Sequence, residues 1–214
     1  MLGYLRQNVG GYLKKNVVAY FFMILIFLIG VVVGALAVRN LPDEQKTELI
    51  GYLHIFFTGL TQGTDNITYG GNMISLVMFN NAKTIVLMWI LGFTIVGIPF
   101  VLFILFTRGF IIGFTVGFLV NEYVMRGLLF AFASVLPHNF LAIPAVLVMG
   151  VSATKFSLML VRRKAYGKIN LWYEAMGYSV LCIIILVAMM LAALLEVYIS
   201  PVFMKLVASL LIKD

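Results

Sequence analysis

VVAYFFMILIFLIGVVVGALAV, residues 17–38, is an apolar run of 22 residues without a single charge. A helix needs about 20 such residues to cross the hydrocarbon of a bilayer, so this stretch by itself points to a membrane. At that length it exceeds the apolar core of a secretory signal, about 7–15 residues. It therefore reads as an uncleaved anchor, although Ala35-Leu36-Ala37 has the small-residue character of a cleavage site.

The rest of the chain agrees. Of 214 residues, 63% are hydrophobic and 11% charged, with a mean hydropathy of +1.10; soluble domains carry about 25% charged residues. A globule in water has too little interior for so much apolar surface, which excludes a soluble enzyme, a disordered tail and a secreted disulfide domain. The lone Cys182 has no partner for an intramolecular disulfide. Further apolar runs at 84–106, 109–125, 140–161 and 175–195 bring the expected spans to five. The expected fold is all-α: one polytopic membrane helix bundle over residues 1–214, with amphipathic interfacial helices.

Charge sets the expected orientation. With the N-terminus inside, Arg6, Lys14, Lys15, Arg108, Arg162, Arg163, Lys164 and Lys168 face the cytoplasm against Glu174 alone. Outside fall Arg39, Lys46, Lys83, Arg126, Lys205 and Lys213 against Asp43, Glu44, Glu48, Asp65, Glu122, Glu196 and Asp214. This positive-inside bias accounts for the net charge of +7 without nucleic acid. It predicts a multi-pass protein with its N-terminus in the cytoplasm and its C-terminus outside.

Between the spans, residues 39–83 form the one long hydrophilic excursion, expected to fold back on the outer surface as amphipathic helices. Pro42-Asp43-Glu44 marks a helix start, and Leu49, Leu53, Phe56, Phe57 and Leu60 form an apolar stripe. Glu44, Glu48, His54, Asn80 and Asn81 are its candidate partner contacts. The first fifteen residues and 201–214 also carry apolar residues at helix spacing, as interfacial helices do.

Small residues mark packing faces. Gly109, Gly113 and Gly117 recur every four residues, the spacing that lets membrane helices approach closely; Gly30 and Gly34 form a lesser face, available to an internal contact, a partner helix or a homodimer. Glu122 and Arg126, four apart, are expected to pair on one helix face. Pro137-His138-Asn139 and Pro144 imply broken helix geometry, whose freed backbone groups His138 and Asn139 can satisfy. Arg108, Glu122, Arg126, Pro137, His138, Asn139 and Pro144 are thus the candidate polar site. No HExxH, GxSxG, Walker A or metal-ligand cluster occurs, so neither catalytic residues, a metal nor a cofactor is expected.

The layout resembles the SpoIIM family of sporulation membrane proteins, through Phe79-Asn80-Asn81, Arg108-Gly109 with Gly113, and LPHNFLAIPA at 136–145. Asn139 stands where the wider family's pattern has Gly, and Ala142 about where it has Glu, which removes any acid–base role from this segment. The resemblance implies a non-enzymatic scaffold in the mother-cell septal membrane. That scaffold would gather the membrane-anchored peptidoglycan hydrolases SpoIID and SpoIIP for engulfment. The alternative class is a small transporter or channel with a polar site around Glu122, Arg126 and His138.

Overall fold

The computed structural model describes residues 16–61, 71–166, 171–200 and 202–203. The expected interfacial helices at the two termini lie outside these residues, apart from 202–203. Every regular element described is helical: α1 (Val17–Ala37), α2 (Asp43–Thr61), α3 (Gly71–Gly92), α4 (Gly97–Tyr166) and α5 (Leu171–Leu194), which continues as a π-turn over Leu195–Ile199. Four of them, α1, α3, α4 and α5, contain stretches long and apolar enough to cross a membrane. The chain is an all-α membrane bundle.

α4 does not run straight. A 70-residue helix would reach about 105 Å, over three times the hydrocarbon thickness. Val124 breaks it, with φ 48° and ψ −121°, and the two arms, 97–123 and 125–166, fold against each other. A Cβ on Gly127 would strike the Leu119 carbonyl, and Leu119 shares a small core with Phe130 and Ala131. Further along, Leu105, Arg108 and Ile112 line one gap with Asn139, Ala142, Ile143 and Val146. Each arm exceeds the length of one crossing, so the described residues offer five passes, with Val38 and Val124 at one end (the far end) and Phe93–Val96 at the other (the near end).

Positive φ is a true outlier for a β-branched residue, and Val124 is 70% exposed with little packing to lose. Val124→Gly is therefore expected to raise stability by about 1 kcal/mol or more, read as a higher unfolding midpoint in detergent. An unchanged or lower midpoint would contradict the strained turn.

The spans differ in register from the sequence expectation. Residues 84–106 are not one crossing: α3 ends at Gly92, and the chain reverses through Phe93–Val96 before α4 begins. Backbone bonds Phe93 N–H to Ile90 O, Thr94 N–H to Leu91 O and Gly97 N–H to Thr94 O make the turn, and Ser157 Oγ donates to the Thr94 carbonyl at 2.8 Å. Pro99, expected as a kink within a span, stands in the first turn of α4, where its missing N–H costs nothing. Residues 71–83 belong to a crossing helix rather than to the excursion, and Arg108 leaves the cytoplasmic turn for the middle of an arm. The break expected at Pro137–Asn139 is absent: the second arm stays helical through Pro137 and Pro144, as membrane helices tolerate when neighbours support them.

The core runs along the bundle axis through Ile85, Met88, Val101, Leu105, Met149, Val151 and Met189, each at most 1% exposed. At the near end it closes with Phe156 stacked on Tyr178, centroids 4.9 Å apart, and Phe93 edge-on to both. The Tyr178 hydroxyl donates to the carbonyls of Met88 and Trp89, at 3.2 and 3.1 Å. This ties α5 to α3.

Candidate functional site: a polar cleft at mid-span

The two glycine faces meet each other. Cβ atoms on Gly30 and Gly34 would collide with backbone at Phe106, Phe110 and Phe114; on Gly109 and Gly113 they would collide with Phe27 and Val31. Gly117 faces Ala35. α1 therefore packs backbone-close on the first arm of α4, and Gly30 and Gly34 are spent on this internal contact. They cannot serve a homodimer or a partner helix, as the sequence had left open.

Arg108 is held from the other side. One terminal guanidinium nitrogen donates to Asn81 Oδ1 at 3.3 Å and to Thr84 Oγ1 at 3.2 Å, both on α3. Along the helix axis it lies about 16 Å from Gly97 and about 24 Å from Val124, well inside both ends of the arm, a depth that falls within the hydrocarbon for a spanning helix. Asn81, expected as an outer contact, is 5% exposed and committed to Arg108. Glu196, on the π-turn after α5, and His138 complete the group: both line the same cleft as Arg108, and Arg108 and Glu196 do not form an ion pair. The His138 Nδ1 is buried without a hydrogen-bond partner among the described residues. A π-turn is a frequent mark of a functional position, and no sequence signal located Glu196 or Thr84 in this cluster.

These residues line a cleft of about 530 Å³, with Asn80, Lys83 and Thr107 among its polar walls and Val77, Leu87, Phe103, Ile104 and Ile111 among its apolar ones. That size is typical of a small-molecule site. Lys83 is exposed and stands at the midpoint of the apolar stretch Ile74–Gly92. A cation at the centre of a lipid-facing helix costs about 2.5–3.5 kcal/mol on insertion scales, and ionisable residues within spans are functional candidates for that reason.

Glu122 and Arg126 do not form the expected pair. Val124 lies between them, and the turn takes away the continuous helix that the spacing requires. Glu122 accepts from Lys46 Nζ of α2 at 2.9 Å and from Asn121 Nδ2 at 2.8 Å. With Leu53 packed beside Leu119, Phe130 and Ala131, this fastens α2 to the far end of the hairpin and leaves Glu44, Glu48 and His54 exposed. Pro137 and Pro144 are helical residues of the second arm, and Asn139 Nδ2 donates to the Val135 carbonyl one turn back at 2.9 Å. Among the described residues no group of three His, Cys, Asp or Glu side chains is placed to hold a metal.

Comparison with curated proteins and with solved structures gave no match. The family model described as SpoIIM, Stage II sporulation protein M, matches residues 23–201. That span runs from Met23 in α1 through the π-turn, including the glycine seam, the cleft and α2, and the chain belongs to the SpoIIM family.

Proposed function

We propose that this sporulation-related membrane protein is a non-enzymatic scaffold that gathers peptidoglycan hydrolases of the SpoIID and SpoIIP type at the septal membrane. The observation that carries the reading is α2, pinned by Lys46–Glu122 across the far end of the bundle with Glu44, Glu48 and His54 turned outward. Lys14 and Lys15 precede α1 in the sequence, Arg162, Arg163 and Lys164 stand in the last turns of the second arm of α4, and Lys168 lies in the sequence between α4 and α5. By the positive-inside rule the near end faces the cytoplasm and α2 faces outward, where the hydrolases' substrate lies.

The test is co-purification in mild detergent from sporulating cells, with the chain carrying Glu44→Ala, Glu48→Ala and His54→Ala together. Hydrolase recovered with the unaltered chain is expected to fall several-fold with the triple variant. Equal recovery would remove α2 as the platform, and recovery of the unaltered chain alone, from cells containing the enzymes, would sink the scaffold. The mid-span cleft favours a second reading, a small transporter or channel, which solute flux into proteoliposomes would support.

A further inference from the structure

The polar face around Lys83 needs an occupant, and its position limits what that can be. Lys83 and Asn80 are exposed at mid-span beside Thr84, Thr107 and Arg108. Acyl chains there would leave an ammonium in hydrocarbon. Half a bilayer, about 15 Å, is too far for a four-carbon stem to bring that charge to the interface. A phospholipid's own phosphate stays at the interface, equally far away. A second copy related by two-fold symmetry would set this cationic patch against itself. The small-residue faces that would otherwise receive a foreign helix are already filled by α1.

We propose that the groove between α3, the first arm of α4 and the π-turn receives a transmembrane helix of a partner protein, one that carries a single carboxylate near its midpoint. The charges fit. Lys83 and Arg108 stand against Glu196 in the lining, an excess of one cation that one Asp or Glu cancels. Arg108 has spare capacity: a guanidinium has five N–H donors, and among the described residues one nitrogen is engaged, by two neutral acceptors. Lys83, at the rim, meets the carboxylate first. The apolar walls Val77, Leu87, Phe103 and Ile111 supply the van der Waals contact that drives helix association in lipid. The proposal deepens the scaffold reading and rests on it only for whose helix enters.

The probe is a synthetic leucine helix of about 21 residues, a length that spans the hydrocarbon, with one Asp at its centre and a fluorescent acceptor at one end. The full chain, labelled at a site remote from α3, is reconstituted in phosphatidylcholine vesicles, and energy transfer reports association. The Asp helix is expected to bind about tenfold more tightly than an all-leucine helix. Lys83→Leu, a change on an exposed face that leaves the core intact, is expected to erase the difference. Equal binding of the two helices, or full discrimination by Lys83→Leu, overturns the proposal. Peptide discrimination without hydrolase recovery from cells would leave the groove and remove the scaffold; hydrolase recovery without discrimination would do the reverse.

Discussion

Gly113→Leu is expected to remove the folded protein altogether, seen as loss of the monodisperse species in detergent. At Gly113 a side chain would meet the carbonyl oxygen, carbonyl carbon and Cα of Val31. All three are backbone atoms, and backbone cannot rotate out of the way as a flexible side chain can. The only relief is separation of α1 from α4 along the whole seam. Lipid tails are as apolar as the helix surfaces, so contact distance rather than water exclusion holds this pair together. Ordinary overpacking costs about 1–3 kcal/mol, and a seam opened along its length should exceed that range. The series is graded by geometry. Gly117→Ala meets Ala35 less closely, with the backbone Cα nearest at 3.0 Å, so the seam must shift by only a few tenths of an ångström and the cost should fall well below that of Gly113→Leu. Gly177→Ala on α5 meets nothing within 4 Å and should gain up to about 1 kcal/mol from helix propensity. A monodisperse Gly113→Leu protein with an unshifted unfolding midpoint would mean the glycine ridges do not face each other.

The seam was half legible in the sequence. Glycines four apart announce a helix face that something approaches, but not what; that Gly30 and Gly34 meet Gly109 and Gly113 is a fact of tertiary packing. Apolar length gave the all-α membrane class and the presence of several spans. It could not give the register of the middle ones, because the reversal at Phe93–Val96 is built from residues as apolar as the spans they join. Gly97 and Pro99 were the remaining signals there, and a proline in an apolar run reads equally as a kink. Once that turn was missed, Arg108 was displaced from mid-bilayer to a loop, and Asn81 and Thr84 were separated from it. Val124 hid the second turn for a different reason: a β-branched residue at positive φ is the last place sequence rules would put a reversal. The Glu122–Arg126 spacing failed for the same cause, since four-residue periodicity carries meaning only on an unbroken helix.

Arg108→Leu is the other large effect, and it should fall on function while leaving the fold in place. The substitution loses two bonds to neutral acceptors on α3, and it strands the Asn81 side chain at 5% exposure, a loss of about 1–3 kcal/mol for an unsatisfied buried group. Against this stands the removal of a cation from mid-bilayer, worth about 2.5–3.5 kcal/mol on insertion scales, together with new apolar contact. The opposing effects are of similar size, as is common when a buried charge is exchanged for a hydrophobe. The unfolding midpoint should therefore move by no more than about 5 °C in a chain of this length. A residue kept for the architecture would behave otherwise, with a large fall in midpoint and a proportionate loss of protein in the membrane. If Arg108 instead serves an occupant of the cleft, spore yield from cells whose only copy carries Arg108→Leu should collapse while the chain accumulates normally. Arg108→Lys separates charge from shape: it keeps the cation but loses the planar fork, so partial yield would show that charge alone supports part of the role. A midpoint lowered by more than about 10 °C, well beyond that bound, would instead make Arg108 part of the frame, and the cleft a by-product of packing.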